Sequence, residues 1–509
     1  GTMNAAENAA VIYRQSGTVF GGTYGDDLSL TGTSMAINGD VVVDGVFSAK
    51  TTTGSVSVTI NNGASLTIQG VVADALTTKY YINGTMNIET QAAKVAVAGA
   101  MYVGSRGSLN LAGDYVSLNG YVAIQSGYGT VNVTGAYTEF TAGFSDAGSW
   151  YNYSGYITDK TAAGLHETNY QVTGNISKYN GSMTINTTGE VVFSGSHEVV
   201  IVNELNIVQA EKVTFNSTLV VAAGTFTASE NVSELYFNDV YVSTQYRAPR
   251  ATEFNIAAQD TVFGGSFNLY AVSPRNYTND GTNQDGTYKW NYYTDYYSGK
   301  NSSDGNAIVI SAVSGFESAL AHFTGARVTF NDSVNLSSGY GQVTFTNEAG
   351  AMTFNGNITN DASGLQPGDG GSAALTVNRG TETVGYMKDY AKFFLGDNTT
   401  VNGTVTNTVS NISLYTLQTP YAYFSIGSNN NFSASSSFVN SGSYLFVAVE
   451  VQGGGNNFSG SFINSASLSV NPGPDAARNV FENLVNKGSG EVTFAQSGNA
   501  SVNIDNQAK

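Results

Sequence analysis

The sequence predicts an all-β chain wound as a solenoid, a parallel β-helix with loop insertions and one short C-terminal helix. Three observations carry that prediction. The first is a repeated phrase: in "VTFNDSVNLSSGYGQVTFTNEAGAMTFNGNITN" (328–360), Phe330, Phe345 and Phe354 each close a [VM]-T-F triplet, followed by Asn or Thr and then small polar residues and Gly. The second is composition. Charged residues are 11% of 509, against about 25% in ordinary soluble proteins, and the polarity comes instead from Asn, Ser, Thr and 59 Gly, residues of turns and strands. A hydrophobic content of 41%, with 31 Tyr and 26 Phe, argues for a packed core and against disorder. The third is spacing: the phrase returns at irregular intervals with no Pro-rich linker and only six Pro in the chain.

Taken in order, the N-terminal third has the same grammar without the Phe. "SVSVTINNGASLTIQG" (55–70), "GSLNLAGDYVSLNGYVAI" (107–124) and "GTVNVTGAYTEFTAG" (129–143) alternate apolar and polar residues in short runs broken at Gly, Asn or Asp. Period-two alternation marks strands with one buried side, and the breaks mark turns that need positive φ. The segment "SDAGSWYNYSGYITDKTAAGLHETNY" (145–170) interrupts this pattern. The phrase then resumes as "VVFSGSHEVV" from Val191, "VTFNSTLVV" from Val213 and "TVFGGSFNLY" from Thr261, until "NYTNDGTNQDGTYKWNYYTDYYSGKNSSDGN" (276–306) breaks it again. It closes with "NNFSGSFINSASLSV" from Asn456 and "EVTFAQSGNASVNI" from Glu491. Between these last two, "NPGPDAARNVFENLVNKG" predicts a helix: Pro472 and Pro474 precede a cap at Asp475, Val480, Phe481, Leu484 and Val485 follow at helical spacing, and Gly488 ends it.

Sandwich domains would show regular boundaries. A solenoid tolerates irregular spacing because excess residues leave each coil as loops, and stacking supplies the core that one coil cannot bury alone. At roughly 20–25 residues per coil the chain would make about twenty coils, in a rod on the order of 100 Å long. The division expected is a β-helix over 1–471 with inserts at 145–170 and 276–306, then 472–509 as the helix and terminal strand of the same solenoid or a junction to a further C-terminal part.

The net charge of −18, with only 20 Lys plus Arg, leaves no basic stripe for nucleic acid and disfavours an anionic bilayer. With no cysteine, a disulfide framework and a thiolate zinc or redox site are excluded. No apolar run is long enough to insert in a membrane and no signal peptide is present. Gly1-Thr2-Met3 reads as a cloning scar ahead of an excised fragment. No cofactor or metal is predicted.

Catalytic patterns are thin. His166 and His197 each precede a Glu but lack the second His of a zinc-protease helix, and they read as surface or coil-corner residues. There is no Gly-x-Ser-x-Gly elbow. Asp26 and Asp27 form the only adjacent Asp pair. Glycoside hydrolysis needs two closely set carboxylates, but adjacent strand side chains point to opposite sides, so the pair reads as a turn. Asp280, Asp285 and Asp304 offer oxygen ligands without the spacing or terminal Glu of a calcium loop, and read as Asx turns.

The aromatic inserts carry the functional signal. Trp150, Tyr151, Tyr153 and Tyr156 lie in the first, and Tyr288, Trp290, Tyr292, Tyr293, Tyr296 and Tyr297 in the second, together holding both tryptophans of the chain. Long inserts tend to be functional, and Tyr and Trp give large contact area with few torsions. These ten residues are the predicted ligand-binding set, weighed against a covering role over the coils. Tyr415, Tyr421, Tyr423 and Phe424 alternate as interior residues would.

The reiterated "VTFNDSVNL", "MTFNGNITN" and "FSGSFINSASL", in a charge-poor, cysteine-free chain, resemble passenger domains of Gram-negative autotransporters (type V secretion). "SFNLYAVSPRNY" (266–277) faintly resembles the vacuolating-cytotoxin branch. The resemblance implies a right-handed parallel β-helix exported through an outer-membrane barrel and held on, or released from, the bacterial cell surface. The closing "NIDNQAK" lacks the aromatic last strand of such a barrel, so a passenger fragment is expected. The function expected is a non-enzymatic adhesin that binds a host receptor or glycan through the inserts. One alternative is self-association with the same protein on a neighbouring cell, through Asn/Thr/Ser ladders; another is a toxin or polysaccharide-active protein.

Overall fold

The structure, a computed structural model, describes residues 32–49, 54–91, 94–125, 128–146, 181–195, 197–222, 224–243, 251–271, 318–338, 342–362, 390–409, 421–442, 446–494 and 500–508. It also describes short stretches at 11–13, 17–19, 22–24, 27–30, 157–160, 167–170, 277–282, 288–292, 308–309, 375–376, 378–379 and 382–383. Among these residues there is no helix. The fold is a parallel β-helix in two compact units, Gly1–Val240 with Asn255–Gly264, and Tyr241–Phe254 with Gly265–Lys509.

In the first unit each coil contributes short strands to three faces. The first face includes Val56–Ile60, Thr78–Ile82, Ala100–Val103 and Val122–Ile124. The second includes Ser65–Ile68, Thr85–Ile88, Ser108–Leu111 and Thr130–Val133. The third includes Val116–Leu118, Tyr137–Phe140 and Glu190–Phe193. Counterparts in successive coils pair in parallel and in register, as Val58 with Tyr80, Leu109 with Val131 and Phe140 with Phe193. Alternation drives this arrangement. Val56, Val58 and Ile60 are buried, while Ser57 and Thr59 between them are half-buried on the outside. A strand of four residues is not stable alone, so each coil depends on the coils above and below.

The third face of this unit carries a column of rings. Phe140, Phe193, Phe215, Phe237 and Phe263 stack with successive centroids 4.8, 4.6, 5.1 and 4.9 Å apart and planes within 17°. All five are fully buried. Burial of each contributes about 1.5–3 kcal/mol, with about 0.5–1.5 kcal/mol more for each ring pair.

The second unit repeats the plan. Its first face includes Ile358–Asp361, Thr404–Thr408 and Ser437–Ser441. Its second includes Gln342–Asn347, Tyr390–Phe394, Tyr421–Ile426 and Val447–Val451. Its third includes Arg327–Phe330, Ala351–Phe354 and Thr399–Val401. The three Phe of the opening phrase therefore do not play one part. Phe330 and Phe354 stack on the third face, 5.0 Å apart at 4°, whereas Phe345 belongs to the second face and stacks on Phe393 at 4.4 Å.

Inside this unit, where the first face turns toward the second, a column of asparagines replaces apolar packing. Asn360 donates to Asn407 (2.8 Å), Asn407 to Asn440 (2.9 Å), Asn440 to Asn464 (2.8 Å) and Asn464 to Asn486 (2.8 Å). The same amides also donate to carbonyls at the turns, as Asn407 to Ala448 and Asn440 to Ser467. Buried polar groups demand partners, and each amide from Asn407 to Asn464 finds one in both neighbouring coils, while the Oδ1 of Asn360 at the head of the column has none. At the corner after the second face, Asn398 and Asn429 adopt φ of 54° and 57°, and Gly455 takes φ 79° one coil later. Asn and Gly are the residues that tolerate this left-handed conformation.

Two expectations are corrected. The predicted C-terminal helix is the strand Asn479–Gly488. Phe481 and Leu484, which read as helical neighbours, both point inward because a register shift separates them as the strand turns from one face to the next. Phe481 stacks on Phe458 at 4.3 Å and Asn486 completes the asparagine column, so stacking overrides local propensity. Tyr421 and Tyr423 lie on the outside, with Ala422 and Phe424 buried between and after them; Tyr415 lies outside the described residues.

Candidate functional site

Register locates where chain leaves the coils. On the second face of the first unit, Asn110 and Asn132 bond across 22 residues, one regular coil. Thr187 reaches the carbonyl of Gly135 across 52 residues, so one coil step there takes in the first insert. Asn335 reaches Asn268 across 67 residues, a step that takes in the second. Asn360 and Asn407 are 47 residues apart, which reveals a third long step over 363–389. It holds no Trp or Phe and only Tyr386, so the aromatic signal that marked the other two segments is absent from it.

The first insert begins later than predicted. Phe144–Ser145 is still a solenoid strand, and Asp146 is fully buried. Its carboxylate accepts N–H groups from Val202 (2.6 Å), Asn203 (2.8 Å) and Glu204 (3.2 Å), which ties the last residue before the insert to the coil that follows it. Beyond it, Ile157–Lys160 pairs antiparallel with Glu167–Tyr170. In the second insert, Tyr277–Thr282 pairs antiparallel with Tyr288–Tyr292. Tyr288, Trp290 and Tyr292 occupy alternate positions of that second strand, Trp290 paired with Asn279 and Tyr292 with Tyr277. Trp150, Tyr151, Tyr153, Tyr156, Tyr293, Tyr296 and Tyr297 lie outside the described residues. Ile308–Val309 pairs with Leu375–Thr376, so the second and third long steps meet.

The remaining candidates resolve into local roles. Asp27 accepts the N–H of Val46 at 2.9 Å, a turn contact; Asp26 lies outside the described residues. His322 pairs with Glu348 across adjacent coils at 2.9 Å, both exposed. Asp280 lies in the strand Tyr277–Thr282, while His166, Asp285 and Asp304 lie outside the described residues. Among the described residues no group of three or more His, Cys, Asp or Glu is gathered to hold a metal, and no helix is long and apolar enough to cross a membrane.

Three outward surfaces take shape only once the strands are stacked. On the second face of the first unit, Ser65, Thr85, Ser108, Thr130 and Ser182 form one row, and Thr67, Asn87, Asn110, Asn132 and Thr184 another. All ten are uncharged and half-buried, and they bond along the column: Asn132 to Asn110 and Asn110 to Asn87 at 2.8 Å, Asn87 to Thr67 at 3.0 Å. The third face of the same unit stacks Tyr115 on Tyr137 at 4.5 Å, with the Lys94 ammonium 4.5 Å from the Tyr115 ring centre. Burial, then the Glu139 charge and Tyr115, push the Tyr137 phenol up to about 12. The third surface surrounds Tyr423 in the second unit. The first two are the outward half of an alternation that pattern reading assigns to solvent, whereas Tyr421 and Tyr423 read as interior residues in the sequence.

Comparison with protein-family models and with curated proteins matches this chain to none of them.

Proposed function

We propose that this chain is the β-helical passenger of a bacterial surface adhesin, exported by an autotransporter and binding a host receptor or glycan through its aromatic-rich inserts. The observation that supports this reading is the coincidence of two features. Both tryptophans of the chain lie in 145–170 and 276–306, and those segments fall within coil steps of 52 and 67 residues where 22 is regular. A β-helix has no need of such excursions for its core, and rigid scaffolds commonly carry recognition on loops. Removing 276–306 is expected to abolish binding of at least one ligand found in a screen against glycans and host-cell proteins. A deletion variant that binds as the parent does would sink the reading.

A second reading, self-association, is favoured by a separate observation, the uncharged Ser/Thr/Asn rows over Ser65–Thr184. Such a surface meets a copy of itself without charge repulsion, despite the net −18. Under this reading Asn110→Asp with Asn132→Asp disperses cell clumps, while deletion of 276–306 leaves them intact.

A further inference from the structure

We propose that the outer side of the second face in the second unit, from Phe394 to Gln452, is a binding site for neutral saccharide. It is distinct from the inserts and does not rest on their role. Tyr421 and Tyr423 are two apart on one strand and so project to the same side, their rings 6.1 Å apart and within 18° of parallel. Phe394, one coil earlier, lies 5.8 Å from Tyr423 and tilted by 59°. The three rings are half-buried and outward, while Ala422, Phe424 and Phe393 beside them fill the core. Sugars present apolar C–H surfaces that pack on such rings.

The polar groups beside the rings are already ordered. The Tyr423 hydroxyl donates to the Glu450 carboxylate, and burial followed by this bond raises the phenol's pKa, so it remains a donor. Gln452 Nε2 donates to Glu450 Oε2 at 3.1 Å and to the Tyr423 oxygen at 3.3 Å, and Ser425 Oγ donates to Gln452 Oε1 at 3.2 Å. A carboxylate has about four acceptor positions, so Glu450 retains capacity for sugar hydroxyls in strong charge-assisted bonds. Because strands fix the whole set, little ordering is required on binding. Lys392 is register-paired with Tyr423 one coil before it and Glu450 with Ser425 one coil after, so this surface carries one cation and one carboxylate. Within a chain of net charge −18, that balance fits a neutral ligand and repels a polyanion.

Coil length is an independent pointer. The step from Asn360 to Asn407 takes 47 residues and the next, to Asn440, takes 33, whereas the following two take 24 and 22. The extra chain over 363–389 and 410–420 therefore runs directly into Tyr390–Phe394 and Tyr421–Ile426, the strands that carry the rings.

Calorimetric titration of the full chain tests the proposal, with cellohexaose and chitohexaose as neutral probes and oligogalacturonate as the anionic one. A neutral probe is expected to bind and the anionic one not. Tyr423→Ala should weaken binding by roughly ten-fold or more, Glu450→Gln by less, and Tyr423→Phe least, because it keeps the ring. Thermal unfolding should be unchanged in all three, and deletion of 276–306 should leave saccharide binding intact, which separates this site from the inserts. The proposal is overturned if neither neutral probe binds at millimolar concentration, if the anionic probe binds as well as the neutral ones, if Tyr423→Ala binds as the parent does, or if only the 276–306 deletion abolishes binding.

Discussion

Two asparagine columns in this protein share a geometry and differ in energetic weight. On the outside of the first unit, Asn132 donates to Asn110 and Asn110 to Asn87, each at 2.8 Å. Inside the second, Asn440 donates to Asn464 and Asn464 to Asn486, also at 2.8 Å. The outer amides are half-buried and water can replace any partner they lose. The inner ones are sealed (Asn440 and Asn464 are 0% exposed), and each also satisfies a turn carbonyl. Identical bonds thus act as a surface texture in one place and as a register lock in the other. Burial makes the difference, because an orphaned polar group costs little in water and much in a core.

Substitutions can break or sharpen that contrast. The apolar column of the first unit sets its upper limit. Phe215→Ala removes a ring stacked on both sides and is expected to cost about 3–5 kcal/mol, read as a fall in the free energy of local opening by hydrogen exchange at residues 191–237. Next comes Asn440→Ala, which removes a donor from Asn464 Oδ1 and the Ser467 carbonyl and an acceptor from Asn407 Nδ2 and should cost about 1–3 kcal/mol by the same measurement. Asn110→Ala, the outer counterpart, should cost less than about 1 kcal/mol. A loss equal to that of Asn440→Ala would show that burial does not govern these ladders.

The smallest effect concerns the outer tyrosines. Folding raises Tyr137 to about 12 from about 10 in an unfolded chain. The folded state then holds a proton that the unfolded state has released, so this contribution to stability is complete below about pH 10 and is lost as pH rises toward 12. Ultraviolet titration of phenolate absorbance in the parent and in Glu139→Gln should show the Tyr137 step at lower pH in the variant. No change would remove Glu139 as a cause.

Much of the fold was legible because alternation and stacking are both local in sequence. The run Val56–Ile60 announces its inward residues at every second position, and recurrence of similar runs announces that they stack. The Asn or Gly predicted for positive φ is found at Asn398, Asn429 and Gly455. The C-terminal strand was misread because a corner inside Asn479–Gly488 places Phe481 and Leu484 three apart, the spacing a helix also uses. Tyr421 and Tyr423 were misread as core because alternation says which residues share a side and not which side is inward; Ala422 and Phe424 took the interior. Aromatics set 145–170 and 276–306 apart in the sequence, whereas the third long step, poor in aromatics, emerges from the pairing of Asn360 with Asn407.

An all-β solenoid, its approximate coil length and the lack of thiol chemistry followed from the sequence, since these rest on composition and period. Tertiary structure alone decided which Phe stacks on which, that asparagines line an interior column, and that Tyr423, Glu450 and Gln452 share one outward surface. Those relations join residues one coil apart, and the step from Val11 to Leu28 takes 17 residues where that from Phe267 to Val334 takes 67. No fixed sequence offset specifies such neighbours, and only the parallel register brings them together.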